Sequence, residues 1–241
     1  MVRAYVLAGG LGTRLQGRIG DLPKALAPFA GRPFLDAQLE WLAAAGVDEV
    51  VLALGVGAAA VIEHLRARPA SALPRVAWSV EPAPLGTGGA LARAARDEGG
   101  DFLVVNGDTL AEVDFAALRA RHAAAGAAVT LACFRVDDVA ARGRVEMDAE
   151  GRVSAFREKS GGGEAWASGG VGACAPAVLA AIPADRPVSL EAEVFPALLA
   201  AGRPVRALRC PGHFYDIGTP EGLARAEREW RPGAGRGQEG P

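Results

Sequence analysis

Near its start the chain reads Leu7-Ala8-Gly9-Gly10-Leu11-Gly12-Thr13-Arg14-Leu15, directly after the short apolar run Ala4–Leu7. A glycine-rich turn behind a strand lets backbone N–H groups approach phosphates closely. Arg14, and Lys24 in the following Leu22-Pro23-Lys24, add charged donors to this loop. The stretch therefore predicts a first βα unit whose loop binds a phosphate-rich ligand such as a nucleoside triphosphate. The residues expected to bind the nucleotide are Gly9, Gly10, Gly12 and Thr13. Arg14 and Lys24 are the candidate catalytic residues.

The spacing of these residues does not match either of two familiar phosphate-binding loops. A dinucleotide fingerprint through Gly10 and Gly12 would need glycine at position 15, where the chain has Leu15. Gly12 and Gly17 have the gap of a Walker A loop, but Arg18-Ile19 replaces its Lys-Ser/Thr pair. A glycine turn can also serve packing alone, and the two cations favour the phosphate interpretation.

The first half of the chain alternates apolar strands with segments of helical periodicity, which is typical of βαβ units. The predicted strands are Ala4–Leu7, Glu49–Leu54, Val76–Val80 and Phe102–Val105; the predicted helices are Phe34–Ala45, Ala58–Arg68, Gly88–Arg96 and Phe115–Ala125. This pattern predicts an α/β fold with a Rossmann-like, mixed but mostly parallel sheet and helices on both faces. Ligands of such sheets bind beyond the carboxyl ends of the strands.

The second half is more mixed. Val129–Val136 reads as a strand, and residues 143–148 and 152–157 read as a hairpin around Ala149-Glu150-Gly151. Ser189 is expected to cap a helix that ends near Leu199, and Thr219-Pro220-Glu221 to open the last helix. We expect one domain over residues 1–230, followed by a disordered Gly/Pro-rich tail over residues 231–241.

Composition excludes several functional classes. A chain of 241 residues, 50% hydrophobic and 22% charged, can bury a full core. Its net charge of −2 gives no basic field for nucleic acid or for an anionic membrane, and no apolar run reaches the length of a membrane span. The odd set of Cys133, Cys174 and Cys210 lacks metal-ligand spacing, and no secretory leader is evident, so we expect a cytoplasmic protein with small buried thiols.

Lysine is scarce in this chain. It occurs only at Lys24 and Lys159, so 24 of the 26 basic residues are arginine. Lysine is a compact point charge, and a site shaped around an ammonium would resist replacement by arginine. Chance is the plain alternative, but the scarcity marks both lysines as candidates for function. The single asparagine, Asn106, lies beside Asp108.

The motif G-G-x-G-T-R-L with a downstream P-K resembles the sugar-1-phosphate nucleotidylyltransferase family, and the resemblance continues to about Trp230. Residues 81–89, Glu-Pro-Ala-Pro-Leu-Gly-Thr-Gly-Gly, look like the family's nucleobase-side loop. The resemblance implies a GT-A-like nucleotidyltransferase fold and a Mg²⁺ cofactor. It also implies nucleotide binding by Glu81, Gly86 and Thr87.

Two aspartates are candidate Mg²⁺ ligands. Asp108 follows four apolar strand residues and the turn-prone Asn106-Gly107, so its carboxylate should emerge at the carboxyl edge of the sheet. Asp216, in Asp216-Ile217-Gly218, stands where the family has its second metal-binding aspartate. An Asx-turn or a helix-capping role is the alternative for each.

Glu158-Lys159 resembles the family's E-K pair, which implies Glu158 on sugar hydroxyls and Lys159 on the sugar phosphate. A solvated ion pair is the alternative. Gly143 and Gly170 are further candidates for the sugar-phosphate side. Arg142, Ser168 and Gly172 depart from the Tyr, Asn and Tyr that the family often has at these positions, so the sugar pocket is expected to be unusual.

The implied reaction joins a nucleoside triphosphate to a sugar 1-phosphate and releases pyrophosphate. Glu81 favours guanine, because one carboxylate can accept from guanine N1–H and N2–H together. The chain looks most like the short D-glycero-α-D-manno-heptose 1-phosphate guanylyltransferases. The alternatives are N-acetylmuramate 1-phosphate uridylyltransferases, glucose or mannose 1-phosphate nucleotidylyltransferases, molybdenum-cofactor guanylyltransferases and a regulatory subunit without turnover. A homodimer is a possible assembly.

Overall fold

The computed structural model describes residues 1–10, 12–67, 74–137, 143–157, 164–184 and 186–232. Its strands are β1 (Arg3–Ala8), β2 (Pro28–Phe29), β3 (Arg32–Pro33), β4 (Glu49–Leu54), β5 (Arg75–Val80), β6 (Phe102–Asn106), β7 (Thr109–Ala111), β8 (Val129–Val136), β9 (Arg144–Met147), β10 (Val153–Arg157), β11 (Ala165–Cys174), β12 (Val205–Cys210) and β13 (Phe214–Asp216). Its α-helices are α1 (Gln16–Ile19), α2 (Phe34–Ala44), α3 (Ala58–Ala67), α4 (Gly86–Ala94), α5 (Phe115–Ala125), α6 (Phe195–Ala200) and α7 (Pro220–Glu229). Short 3-10 turns cover Thr13–Leu15, Lys24–Leu26 and Pro176–Ala181, and a π-helix covers Leu190–Val194.

The predicted elements of the first half are found within about two residues of their expected ends. The expected end of the second helix, Arg68, and most of the predicted tail, residues 233–241, lie outside the described residues. Strands β2, β3, β7, β11, β12 and β13 were not predicted. β11 is rich in glycine and alanine, which weakens the period-2 signal of a strand, and β2, β3, β7 and β13 have only two or three residues each.

The main sheet has seven strands in the order β12-β8-β11-β6-β1-β4-β5. β6, β1, β4 and β5 are mutually parallel, and β12 is parallel to β8. β11 is antiparallel to both of its neighbours, β6 and β8. The predicted mixed, mostly parallel sheet is confirmed.

Helices cover both faces of this sheet, because successive side chains of a strand point to opposite sides. Ala4 and Val6 of β1 lie in a core with Trp41 of α2 and residues of α7. Tyr5, between them, lies in a second core with Leu91 of α4 and residues of α6. The predicted placement of helices on both faces is confirmed.

The hairpin predicted after residue 143 is formed by β9 and β10, which pair Val145 with Phe156. Ser189 caps its helix as expected, with its Oγ accepting from Ala192 N at 3.1 Å. This helix begins in π form, where Val194 N donates to Ser189 O at 3.1 Å, and becomes α6 only at Phe195.

Two further expectations concern composition. Cys133, Cys174 and Cys210 are free and buried, as predicted, and burial raises the pKa of each thiol. None of the helices in the described ranges has the length and apolarity that crossing a bilayer would need.

Candidate active site

The loop after β1 is held close to its neighbours by glycine. A methyl group at Gly9 would overlap the Glu81 carboxylate, so a side chain at this position would displace that carboxylate. Gly12 has φ +61° and starts the turn Thr13–Leu15, in which Leu15 N donates to Gly12 O at 2.9 Å. Leu11 lies outside the described residues. The loop therefore brings backbone against the carboxyl end of the sheet, as its glycines predict.

Lys24 and Asp108 are in direct contact. Lys24 Nζ lies 2.8 Å from Asp108 Oδ2, and the two side chains are only 17% and 24% exposed. A charge-assisted hydrogen bond of this length holds both groups in one geometry. The structure thus joins the predicted catalytic lysine to a predicted metal ligand 84 residues away in sequence.

Gly218 marks the point where the other charged residues converge. A methyl group at Gly218 would lie 2.8 Å from Asp216 Oδ1, 3.0 Å from Arg14 Nη2 and 3.4 Å from Lys24 Nζ. Gly218 N also donates to Asp216 Oδ1 at 2.7 Å. Asp216 therefore shapes its own turn, as the Asx-turn alternative expects, and also faces the two cations.

Two short strands bring the aspartates together. β7 begins directly after Asp108 and pairs antiparallel with β13, which places Asp216 opposite Thr109. Ile217 N then donates to Asp108 O at 2.9 Å. Because the pairing fixes both backbones, the two carboxylates are presented from adjacent chain segments at the same edge of the sheet.

The cavity beside Lys24 and Asp108 is small. A cavity of about 60 Å³ is lined by Gly10, Lys24, Gly107 and Asp108 together with β1 residues. A cavity of about 400 Å³ lies at the opposite end of the sheet, between α5 and the start of the chain, and contains none of the predicted site residues. Lys24 and Asp108 thus line the smaller cavity, at the edge where ligands of such sheets bind.

Glu81 follows β5 and lies beside the glycine loop. Its carboxylate fits between Gly9 and Gly55, and Leu85 N donates to Oε2 at 3.2 Å. Burial raises the pKa of Glu81 above its ordinary value, although the Leu85 N–H and the charge of Arg93 oppose the shift. The predicted nucleobase-side carboxylate is therefore next to the predicted phosphate loop.

Gly86 and Thr87 are held by the segment before the π-helix. Gly86 has φ +71° and lies so close to Val188 O that a side chain would overlap it. Thr87 Oγ1 accepts from Leu190 N at 2.8 Å and donates to Glu191 Oε2 at 3.2 Å. The structure shows Thr87 fixing the loop, and its contact with a nucleotide stays a prediction.

The described part of the predicted sugar side consists of two glycines. Gly143 is exposed before β9, and a methyl group there would lie 3.3 Å from Arg157 O. Gly170 has φ +72° and lies against the Asn106 side chain, whose Nδ2 would be 2.7 Å from a methyl group. Gly170 is therefore a neighbour of the strand that leads to Asp108. Glu158, Lys159 and Arg142 lie outside the described residues.

The unusual segment around Ser168 is a bulge. The register of β11 against β8 shifts between Ser168 and Gly172, and Gly170 N donates to Ser168 Oγ at 3.3 Å. A side chain at Gly169 would overlap the Phe134 ring. Small residues at these positions follow from the bulge, since it brings backbone against a ring and an amide.

One residue at the site was not predicted. Gln38 of α2 is 1% exposed, and its Nε2 donates to Asn106 O at 2.9 Å and to Thr109 O at 2.8 Å. A polar residue on the apolar face of Phe34–Ala44 was the sequence signal that could have found it, because buried polar groups are normally hydrogen-bonded.

Residues 3–231 match the family model described as nucleotidyl transferase. The chain belongs to the nucleotidyl transferase family. This family assignment agrees with the resemblance found in the sequence motifs. It also accounts for the sheet topology, with the glycine loop at its carboxyl edge.

Curated relatives and a solved structure agree with that assignment. The chain is 38% identical over 232 residues to mannose-1-phosphate guanylyltransferase of Mycobacterium tuberculosis, covering 95% of this chain and 64% of that protein. It is 35% identical over 230 residues to mannose-1-phosphate guanyltransferase of Schizosaccharomyces pombe, covering 91% and 62%. The chain thus spans less than two thirds of these relatives.

The crystal structure of HddC from Yersinia pseudotuberculosis superimposes with a TM-score of 0.82 at 30% identity, covering 96% of this chain and 100% of HddC. A second HddC structure is a complex with GMP-PN, with a TM-score of 0.79.

Proposed function

We propose that the protein transfers guanylate from GTP to a sugar 1-phosphate, releasing pyrophosphate and forming a GDP-sugar. The observation that carries this proposal is the convergence of Arg14, Lys24, Asp108 and Asp216 at the end of the glycine loop. The guanylyltransferase names of the curated relatives and the GMP-PN complex of HddC support guanine as the base.

In this reaction an oxygen of the sugar phosphate attacks the α-phosphorus of GTP. A new phosphorus–oxygen bond forms, the bond from the α-phosphorus to the α–β bridging oxygen breaks, and pyrophosphate leaves with that electron pair. The second pKa of a phosphate monoester is about 6, so the nucleophile is mostly dianionic at neutral pH and needs no general base. The work left to the protein is to align the reactants and to neutralise their charge.

Lys24 and Arg14 are placed for that neutralisation. Arg14 Nη2 and Lys24 Nζ lie 3.0 and 3.4 Å from the point that a methyl group at Gly218 would occupy, and Asp108 holds Lys24 there. We propose that Lys24 and Arg14 bind the triphosphate and the departing pyrophosphate. On the sugar side, Lys159 and Gly143 are proposed to hold the sugar phosphate, and Glu158 to accept from sugar hydroxyls. Gly170, which packs against the Asn106 side chain, is proposed to lie on the same side of the site.

The donor set fits Mg²⁺. This ion prefers one or two carboxylates plus phosphate oxygens and water, and Asp108 and Asp216 supply two carboxylates from adjacent strand ends. The described residues contain no group of three or more acidic, histidine or cysteine side chains that would form a complete protein cage. When bound, Mg²⁺ would neutralise charge on the reacting phosphates. The protein's part is to hold the two carboxylates at this edge.

Glu81 is proposed to select guanine. Glu81→Gln is expected to lower kcat/KM for GTP by about 10- to 100-fold, because hydrogen bonds to a charged group contribute about 1.5–3 kcal/mol. The kcat/KM values for ATP and UTP should stay low and nearly unchanged. Steady-state kinetics with the three triphosphates make the measurement, and Glu63→Gln on exposed α3 is the matched control. An equal loss for all three triphosphates would mean that Glu81 only anchors the loop through Leu85.

The raised pKa of Glu81 gives a separate expectation for stability. Its folded pKa lies above the unfolded value, so the native state binds more protons between these pKa values and loses stability as pH rises through them. Ionisation of this half-buried carboxylate as pH rises therefore costs stability. Thermal unfolding should therefore show Tm of Glu81→Gln above that of the wild type at neutral pH, with the gap closing as pH falls. A Tm difference that widens toward acid pH would contradict the raised pKa of Glu81.

For the acceptor we propose a sugar 1-phosphate with the manno configuration. The sequence resemblance favours D-glycero-α-D-manno-heptose 1-phosphate, whereas the names of the curated relatives favour mannose 1-phosphate. The two sugars share the ring stereochemistry and differ beyond C5, so the same ring contacts could serve both.

The test is a substrate matrix. Purified protein is incubated with Mg²⁺, each common nucleoside triphosphate and a panel of sugar 1-phosphates, and pyrophosphate release is measured with product masses. Release with GTP and a manno sugar phosphate supports the proposal, and the ratio of kcat/KM values chooses between heptose and mannose. Release only with UTP or dTTP would overturn the guanine assignment. Binding of nucleotide sugar without release under any pairing would make the protein a regulatory subunit.

A further inference from the structure

The turn that carries Asp108 is held at every side by hydrogen bonds. Gly107 N donates to Leu7 O at 2.9 Å, and Ile217 N donates to Asp108 O at 2.9 Å. Two further carbonyls of the turn, those of Asn106 and Thr109, are bonded by a side chain. Backbone from two other segments thus fixes the centre of the turn, and one side chain fixes its two ends.

That side chain is Gln38. Its Nε2 donates to Asn106 O at 2.9 Å and to Thr109 O at 2.8 Å. Only the NH₂ end of an amide can serve two carbonyl oxygens, so the orientation of the amide is determined by its partners. Both protons of one nitrogen are used on the two carbonyls that flank Gly107 and Asp108.

Burial makes these bonds hard to replace. Gln38 is 1% exposed and lies in α2 among fully buried residues such as Leu35 and Leu39. Removing the amide would leave the buried Thr109 carbonyl and the part-buried Asn106 carbonyl without this donor, which is costly for a buried group. The turn could recover these bonds only by moving.

Helix α2 is also tied to the segment of Lys24. Phe34 N, at its start, donates to Ala27 O at 2.9 Å, and Ala27 N donates to Lys24 O at 3.0 Å. One rigid helix therefore contacts the backbone on both sides of the 2.8 Å pair between Lys24 Nζ and Asp108 Oδ2.

We propose that Gln38 is a positioning residue, which fixes the backbone around Asp108 so that this carboxylate meets Lys24 and the reacting phosphates. It touches no substrate itself. The inference deepens the proposed function and rests on it for its kinetic readout, while its structural readout is independent.

The kinetic test uses Gln38→Leu, which keeps most of the volume and removes both donors. We expect kcat to fall about 10- to 100-fold, as for other residues that orient a catalytic ligand, while KM for GTP changes less than about threefold. The control is Thr130→Val, near the start of β8. This substitution removes a fully buried hydroxyl that is bonded to His122. It should lower Tm and leave kcat unchanged. A Gln38→Leu kcat equal to that of the wild type overturns the proposal.

A pH profile separates positioning from loss of stability. In Gln38→Glu the introduced carboxylate repels both carbonyls when ionised, and donates one hydrogen bond when protonated. Burial raises the pKa of such a group, so kcat of Gln38→Glu relative to the wild type should rise as pH falls from about 8 to about 6. A ratio that is flat with pH, or that follows Tm alone, overturns the proposal.

Hydrogen exchange gives the readout that needs no turnover. Amide exchange in the peptide containing residues 106–109 should be at least about tenfold faster in Gln38→Leu than in the wild type, with no change in Thr130→Val. If the wild type turns over no substrate, the proposed function fails and this exchange still decides the role of Gln38. Unchanged exchange in Gln38→Leu overturns the positioning role even in an active enzyme.

Discussion

Replacing Asp108 by Asn is expected to lower kcat by about three orders of magnitude, because the change removes the charge that is proposed to bind Mg²⁺ and to face the reacting phosphates. Asn also leaves Lys24 without the carboxylate that holds its ammonium at 2.8 Å. The fold should persist, because the backbone of this turn is bonded through Gly107 N and Asp108 O, which the substitution keeps.

The measurement is kcat at saturating GTP and sugar phosphate, with Tm and circular dichroism recorded on the same preparation. Asp97→Asn is the matched control, since the Asp97 side chain is 89% exposed and pairs only with the adjacent Arg96 among described residues. It should keep kcat within about twofold, as surface substitutions usually do. An Asp108→Asn enzyme with near-normal kcat would remove Asp108 from the mechanism.

Lys24→Arg is expected to lower kcat by about 100-fold although the charge is kept, because a displacement of about 1 Å at a reacting group can cost this much. The ammonium lies in a cavity of about 60 Å³, within 3.4 Å of the point where a methyl group at Gly218 would stand. A planar guanidinium needs more space and binds in a different geometry. The same argument explains why this chain, with 24 arginines among its 26 basic residues, has lysine at this position.

The comparison for Lys24→Arg is Arg96→Lys, a reverse exchange at a side chain that is 80% exposed. That variant should be indistinguishable from the wild type in kcat and KM. If Lys24→Arg kept kcat within about threefold, a point charge would not be required and the scarcity of lysine would carry no functional meaning.

Local sequence signals were enough to predict one half of the site. The glycine loop and Asp108 each follow a predicted strand of a parallel sheet, and the carboxyl ends of such strands meet at one edge; Lys24 lies shortly after the loop. The register of β1 against β6, which pairs Leu7 with Asn106, shows this meeting directly. The prediction needed only that the strands be parallel, because their carboxyl ends then share one edge; the direct pairing of β6 with β1 is a long-range contact that the structure supplies.

The other half depends on contacts that no local pattern encodes. Asp216 reaches Asp108 only because the three-residue strands β7 and β13 pair across more than 100 residues of sequence. Motif resemblance, and not periodicity, singled out Asp216. Gln38 was missed for the same reason, since its role depends on two carbonyls near residue 107 that the sequence of α2 does not reveal. The bulge at residues 168–172 explains the small residues Gly169 and Gly170, which lie against the Phe134 ring and the Asn106 amide.

The most direct test of the central claim follows the α-phosphate. Wild-type protein and Asp108→Asn are incubated with Mg²⁺, the active sugar 1-phosphate and GTP labelled at either the α- or the γ-phosphorus, and the labelled products are separated. The account predicts that the wild type moves the α label into a GDP-sugar and the γ label into pyrophosphate, while Asp108→Asn forms almost none of either product. Release of the γ label as inorganic phosphate or its transfer to the sugar, with the α label left in GDP, would contradict attack at the α-phosphorus.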